Sequence, residues 1–400
     1  MREALGSEDL RGPGGGPEEC LRKAIDTLAT PVFVVLGIAL ALLLRYFLFD
    51  FESPDYRAFL SRWYDFIKLR GFLGAFKYDF SNYAPLYLHM LAIATLLPLP
   101  KLQAIKLISI LFDGVAALLV HRLVKERYSH SLLPVYAALA SLFAPTVWLN
   151  SAFWGQCDVI YASMVLASLY CLLRGKHDAA LILYGLSFSL KLQSVFILPV
   201  YALLWLKREF SITRFLHVPA VYFVTIVPSL LAGRPLADLL GIYSRQAQGG
   251  RLSMQAPSWY RWVPGVERYF SFLNPAGMVL AAFAILLLFF MIHRGLRKRS
   301  MDAETLIQTS LLFTLVIPFL LPQMHERYFF LADLLSIVYA FYFPRHYFVP
   351  IIVILVSLFS YFPFLFGAAF IQLSHLALAL FVLIVFLTRD LMMRIHSTWA

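Results

Sequence analysis

Charge is scarce in this chain. Only 14% of its 400 residues are Asp, Glu, Lys or Arg, against roughly 25% in an ordinary soluble domain. Cysteine is scarcer still, and Cys20, Cys157 and Cys171 show no paired spacing, which excludes a disulfide framework and a thiolate zinc site. No Asn-x-Ser/Thr acceptor occurs, and no internal repeat with a period of roughly 20 to 50 residues marks a solenoid or propeller. The opening "MREALGSEDLRGPGGGPEECLRKA" lacks an apolar core of the kind a secretory signal needs, so it reads as a solvated tail over residues 1–29.

What the sequence has instead is apolar length. Hydrophobic residues make up 60% and aromatics 16%, and the mean hydropathy is +0.74. Runs such as "TPVFVVLGIALALLLRYFLF", "MVLAAFAILLLFFMI" and "VPIIVILVSLFSYFPFLFG" suit helices crossing about 30 Å of hydrocarbon. The expectation is an all-α polytopic membrane protein of about twelve spans, near 30–49, 103–123, 132–149, 158–174, 178–190, 192–206, 214–232, 276–292, 304–321, 328–343, 347–366 and 369–388. Together they form a membrane domain over 30–390, followed by a cytoplasmic tail at 391–400.

Basic residues orient this map. With the N-terminus inside, the short cytoplasmic loops carry Arg22 and Lys23, Arg122, Lys125 and Arg127, Arg174 and Lys176, Lys207 and Arg208, the run Arg294 to Arg299, Arg345, Arg389 and Arg394. The net charge of +11 is thus an inside anchor and calls for no nucleic-acid partner. Two long segments, 50–102 and 233–275, fall outside. The first contains "SPDYRAFLSRWYDFIKLR", whose Tyr56, Phe59, Leu60, Trp63, Phe66 and Ile67 recur at helical spacing, as in a helix lying in the interface. A second stretch, 83–100, reads as interfacial or re-entrant, because counting it as a span would send the basic cluster at 122–127 outside.

The remaining polar residues gather on one face. Asp50, Glu52 and Asp55 open the first outer segment, "FWGQCD" brings Trp154, Gln156 and Asp158, Lys191 and Gln193 sit at a turn, and His325, Glu326 and Arg327 occupy another. An ion at mid-bilayer costs about 2.5 to 3.5 kcal/mol on the insertion scale, so groups sharing one depth imply a wet cavity. Such a cavity on the outer face suits chemistry on a lipid-anchored substrate.

These stretches together carry a resemblance. "ESPDYRAFLSRWYDFI", "YDFSNYAPLY", "WGQCDVIYA", "KLQSVFILP", "MQAPSWYRWVP" and "LPQMHERYFFLAD" resemble GT-C fold, polyprenyl-phosphate-sugar-dependent glycosyltransferases, and among them bacterial mannosyltransferases related to the GPI-anchor mannosyltransferases. The likeness runs from about residue 30 to 345. It implies inverting transfer of a single hexose, mannose by similarity, from a polyprenyl-phosphate donor to a hydroxyl of a glycan, glycolipid or protein acceptor. It further implies no metal or other cofactor, membrane lipid as surroundings, and an active site on the periplasmic or outer face of a bacterial plasma membrane.

Site roles follow from the same resemblance. Related dolichol-linked enzymes take the acceptor proton on the Asp of a Gly-Asp-Tyr motif, which is similar to Pro54, Asp55 and Tyr56 here. Asp55 is the expected base, with Asp50 and Glu52 as competitors that sequence proximity cannot separate. Those enzymes carry His-Glu-Lys where this chain has His325, Glu326 and Arg327, so Arg327 is expected to hold the donor phosphate, His325 to add a hydrogen bond and Lys191 to assist. Glu326 would orient these groups or a sugar hydroxyl. Glu52, Tyr83, Trp154, Gln156, Asp158, Gln193 and Tyr260 are the expected sugar or acceptor contacts, Trp154 by stacking and the segment around Tyr260 as a lid.

Plainer readings compete. Asp55 can be a helix N-cap, Trp154 and the aromatic residues at 259–262 can be interfacial anchors, and His325 to Arg327 can be a self-paired polar turn. Lys106, Asp113 and Asp333 read as structural. An oligosaccharide ligase or polymerase shares the outer-face logic. A secondary transporter would instead place ionisable groups at the midplane of inverted repeats, and neither is visible.

Overall fold

The structure is a computed structural model describing residues 17–246, 250–263 and 265–396. Part of the expected N-terminal tail and residues 397–400 lie outside the described residues. The chain divides into two units, Met1–Leu44 and Arg45–Ala400. The described part of the first unit is one helix, Pro17–Phe47, which ends within the second unit; helix therefore begins before residue 30, inside the expected tail. Val32, Val35, Leu36 and Leu40 on it are exposed, as side chains meeting lipid would be.

The second unit is almost wholly helical. Among the described residues, six helices are long and apolar enough to cross a membrane: Lys101–Lys125, Ile212–Leu231, Glu267–Gly295, Ala303–Leu320, Pro344–Phe366 and Leu373–His396. A bent pair, Leu133–Phe143 with Pro145–Trp154, makes a seventh if taken as one span. The protein is thus an integral membrane protein, and six or seven of the roughly twelve expected spans are matched by helices of crossing length. The reason is length: Asp158–Leu173, His177–Leu190 and Phe330–Tyr342 have 16, 14 and 13 residues, and at about 1.5 Å per residue none crosses about 30 Å by itself.

Local sequence accounts for the breaks. Pro145 forces Ala144 out of the helical region (ψ 123°), so the single helix expected over 132–149 bends by 47°. The stretch expected to be interfacial at 83–100 is a ten-residue helix, Pro85–Ala94, with proline at its first turn. The segment at 53–70, expected to lie in the interface, starts as a wide π-type turn, Tyr56–Leu60, and continues as the helix Ser61–Arg70. It buries Tyr56, Leu60, Trp63 and Ile67, while Phe59 stays exposed. The last helix continues to His396, past the expected end of the membrane domain at 390.

The interior of the bundle is made by the short helices. Asp158–Leu173 packs against His177–Leu190 and Lys101–Lys125, and Phe330–Tyr342 packs between Ala303–Leu320 and Phe348–Phe366. Ala303–Leu320 buries all but a few of its side chains, whereas Glu267–Gly295 exposes Val279, Phe283 and Leu287. Short central helices leave room at one end of the bundle, and there the segments expected to lie outside converge. Residues 253–254 form a two-residue parallel pairing with 324–325, reinforced by the Gln323 amide donating to the Leu252 carbonyl at 2.8 Å. Nothing in the sequence pattern announced that pairing.

Candidate active site

The site begins with how the chain leaves its first helix. Lys106, buried, donates from Nζ to the carbonyls of Leu48, Phe49 and Phe51 at 3.1, 2.9 and 2.7 Å. One ammonium thus gathers three carbonyls just past the helix end, and the following residues are fixed. Ser53 then donates to the Trp154 carbonyl at 2.6 Å and accepts from the Tyr56 amide at 3.1 Å. Ser53, not Asp55, therefore performs the capping role, and Asp55 makes no cap hydrogen bond.

The Asp55 carboxylate points inward instead. Its Oδ2 accepts from Trp154 Nε1 at 2.9 Å and from Gln156 Nε2. Gly155 between these donors has φ +79°, a left-handed conformation that glycine adopts without penalty and that lets two alternate residues aim at one carboxylate. Tyr83 donates its hydroxyl to Gln156 Oε1 at 3.3 Å, fixing which end of the amide faces Asp55. The competing carboxylates turn away: Glu52 is exposed and pairs with Arg57 at 3.2 Å, and Asp50 accepts from Gln103 at 3.1 Å.

Arg327 comes to Asp55 from the far end of the sequence. The residue preceding Pro322 is extended (Leu321 ψ 144°), ending Ala303–Leu320, and the turn delivers His325, Glu326 and Arg327 to the cluster. Arg327 Nη1 lies 3.8 Å from Asp55 Oδ2 and 3.5 Å from Glu326 Oε1, while its Nε lies 3.8 Å from Asp158 Oδ2. These are attractions longer than a good N–H···O bond of about 2.7 to 3.2 Å, and Nε is buried without a hydrogen-bond partner. The guanidinium also sits 5.6 Å from the Trp154 ring centroid.

Lys191 is differently placed. Its Nζ donates to Asp158 Oδ1 at 2.5 Å, and Asn150 Nδ2 donates to the other oxygen at 2.9 Å. Asp158 is fully buried, so this pair is a fixed support behind Arg327 rather than a surface for a sugar. Trp154 is likewise fully buried, stacked on Phe364 at 5.0 Å with Tyr361 at its edge. It holds Asp55 by a hydrogen bond and offers no free face for the stacking the sequence suggested. Tyr260 is not brought to the cluster: it packs beside Trp259, its hydroxyl against Gly277. Trp259 and Trp262 donate to the carbonyls of Leu320 and Ser374, which docks this segment on helices.

Two hollows adjoin the cluster. One, of about 330 Å³, is lined by Leu192, Phe196, Met254, Met278 and Leu321, with Gln193, His325 and Tyr328 supplying polar groups. The other, of about 580 Å³, is lined by Phe59, Trp63, Phe80, Asp79, Asn82 and Arg245. Gln246 borders both, and the Trp63 ring lies 5.1 Å from Tyr83. Burial, with help from the Arg327 and Lys191 charges, lowers His325 to about 3, so its imidazole is neutral at physiological pH and carries one N–H donor. Burial pushes Glu326 up to about 7, against the pull of Arg327. Among the described residues no group of three or more His, Cys, Asp or Glu is placed to hold a metal ion.

Sequence reasoning overlooked Ser53 and Asn150, and set Lys106 aside as structural, which it is. Asn150 stands alone as a polar amide in "APTVWLNSAFWG", and an isolated amide in an apolar stretch was the available signal.

An integral membrane bundle with a carboxylate and a cation converging in a buried cluster beside two hollows is the architecture of a membrane-embedded enzyme. The model of glycosyltransferase family 87 matches residues 80–322, more than half of the chain. The protein belongs to that family, which is of GT-C type, and it is a glycosyltransferase. The matched span contains Tyr83, Trp154, Gln156, Asp158, Lys191 and Gln193, whereas Asp55 lies before it and His325 to Arg327 just after it. No curated protein matches the sequence.

Proposed function

We propose that the protein transfers one hexose, mannose, from a polyprenyl-phosphate donor to an acceptor hydroxyl with inversion, on the outer face of a bacterial plasma membrane. The observation that carries this reading is the meeting of Asp55 with Arg327, a carboxylate and a guanidinium from opposite ends of the sequence held 3.8 Å apart without a direct bond. Family membership supports it, since this GT-C-type family comprises polyprenyl-phosphate-sugar-dependent mannosyltransferases.

In this reading the donor phosphate takes up the unused Arg327 donors, with the neutral His325 adding one hydrogen bond. The isoprenoid lies in the apolar hollow beside Gln193 and His325, and the acceptor approaches through the polar hollow at Trp63 and Asp79. Asp55, relieved of its attraction to Arg327, accepts the acceptor's proton as the new C–O bond forms. The bond from the anomeric carbon to the phosphate oxygen breaks, its electron pair stays on phosphate, and Arg327 stabilises that charge. Tyr83 and Gln156 hold Asp55 in position, Lys191 and Asp158 hold Arg327, and no metal or other cofactor takes part. Positive-inside bias sets the orientation, with the N-terminus cytoplasmic.

The test is transfer of radiolabelled mannose from mannosyl phosphoryl polyprenol by purified protein in bilayer discs, against a panel of glycolipid and oligosaccharide acceptors. Wild type is expected to label an acceptor by one residue, and Asp55→Asn to label none. Full activity in that variant sinks the assignment.

A further inference from the structure

A third hollow lies far from the cluster. It measures about 860 Å³ and is lined by Met291, Arg294, Gly295, Arg297, Lys298 and His396, with no acidic residue on its wall. The helix Phe270–Gly295 has 26 residues, about 39 Å end to end. Near its start Asn274 accepts from Gln323 Nε2 at 2.9 Å, next to residues 324–325, so the hollow sits at the opposite end of the bundle from Asp55 and Arg327.

The hollow is built rather than incidental. Lys207 Nζ donates to the Leu296 carbonyl at 2.8 Å and to that of Arg299, and Arg299 Nη1 donates to the Arg394 carbonyl at 2.7 Å. These bonds fix the turn that carries Arg297 and Lys298. Gly295 stands against the last helix so closely that a Cβ there would meet Ile395 and His396 at 2.5 and 2.6 Å, which lets the two helix ends form the floor. The nearby carboxylates are engaged elsewhere, Glu304 with Arg127 and Arg394 and Asp302 with the Thr305 amide. Arg294 and Arg297 are exposed.

The same helix carries an apolar stripe leading away from the arginines. Met291, Leu287, Phe283 and Val279 recur every fourth residue and are 42%, 52%, 66% and 71% exposed, a slanted ridge on the exposed apolar surface of the helix, which also includes Leu280, Leu286 and Phe290. The stripe is about 18 Å long, comparable to one leaflet's share of a hydrocarbon core about 30 Å thick.

We propose that this hollow is a binding site for an anionic phospholipid, with Arg294 and Arg297 on the phosphodiester and the acyl chains along the Met291 to Val279 stripe. Guanidinium forks match phosphate oxygens, and basic pockets between membrane helices suit acidic headgroups. Inorganic phosphate shares the headgroup chemistry but leaves the stripe bare, so the stripe selects the lipid. The site is independent of the transfer reaction.

Native mass spectrometry of the full chain, released from vesicles of phosphatidylcholine and phosphatidylglycerol, tests this. Wild type is expected to retain one phosphatidylglycerol. R294Q/R297Q is expected to lose it, with a fall of about thirtyfold in affinity. The control R122Q/K125Q removes equal charge from the same end of the bundle, where neighbouring Arg127 meets Glu304, and is expected to retain the lipid. Free phosphate added in excess is expected not to displace it. Absence of retained phosphatidylglycerol overturns the proposal, as does displacement by phosphate. Equal loss in both double variants would show diffuse surface attraction and also overturn it.

Discussion

Arg45 and Arg327 both meet carboxylates in this protein, and they are held in opposite ways. Arg45 donates to Asp113 at 2.7 Å and to the Leu142 carbonyl at 3.1 Å, and Ser151 donates to the same Asp113 oxygen at 2.5 Å. Arg327 faces Asp55, Asp158 and Glu326, and no contact is shorter than 3.5 Å. The first arrangement is made by short direct bonds, and Arg45, Asp113 and Ser151 are all buried. The second leaves guanidinium donors unspent beside a hollow. A buried ion pair joined by short direct bonds belongs to the packing, whereas one that is attracted but unbonded has its geometry completed by a ligand.

The contrast breaks most sharply at Asp55. Asp55→Asn keeps the hydrogen-bonding shape but cannot take a proton at neutral pH, so transfer should fall by about 10² to 10⁴-fold, the usual worth of a general base. Initial rates with saturating donor measure this, and donor binding is expected to survive. Arg327→Ala should lower transfer by about 10² to 10³-fold and weaken donor binding as well. Arg327→Lys should recover part of the binding because it restores charge without the planar fork.

The directly bonded pair should respond in the other currency. Asp113→Ala removes the carboxylate that both Arg45 and Ser151 bond inside the bundle, and breaking such a buried pair costs about 3 to 5 kcal/mol of stability, read as a lower unfolding temperature in detergent. Transfer per folded molecule is expected to stay at the wild-type level. A variant at Asp113 that unfolds no earlier but transfers poorly would erase the distinction between the two arginines.

The smallest expected effect concerns Glu326. Its folded pKa is raised from 4.5 to about 7 by burial, so the folded state binds its proton more tightly than the unfolded one. The resulting stability is fully present below pH 4.5 and is lost as pH rises through about 7. Glu326→Gln should therefore gain thermal stability relative to wild type as pH rises across that window. A constant difference between the two proteins over the same range would contradict the assignment.

Much of this was legible in the chain. Scarce charge and long apolar runs gave the membrane class, and "PDY" with "HER" named the two residues that meet. The single face shared by Asp55, Asp158, Lys191 and Arg327 also showed, because ions in an apolar chain stand out one by one. What did not show was pairing across long separations. Nothing near Trp154 reveals that its indole N–H is spent on a carboxylate 99 residues away and its face on Phe364, nor near Lys191 that its ammonium is spent on Asp158. Six or seven spans are supported among the described residues where twelve were expected, for a related reason. Apolar runs record burial, and short helices buried by other helices carry the same composition as helices buried by lipid.

The central claim is that Asp55 removes the acceptor proton while Arg327 holds the donor. Single-turnover transfer and equilibrium donor binding, measured side by side on wild type, Asp55→Asn and Arg327→Ala in the same bilayer discs, test it most directly. The account predicts that Asp55→Asn binds mannosyl phosphoryl polyprenol as wild type does yet transfers almost nothing, and that Arg327→Ala loses binding. Wild-type transfer by Asp55→Asn, or undiminished donor binding by Arg327→Ala, would contradict it.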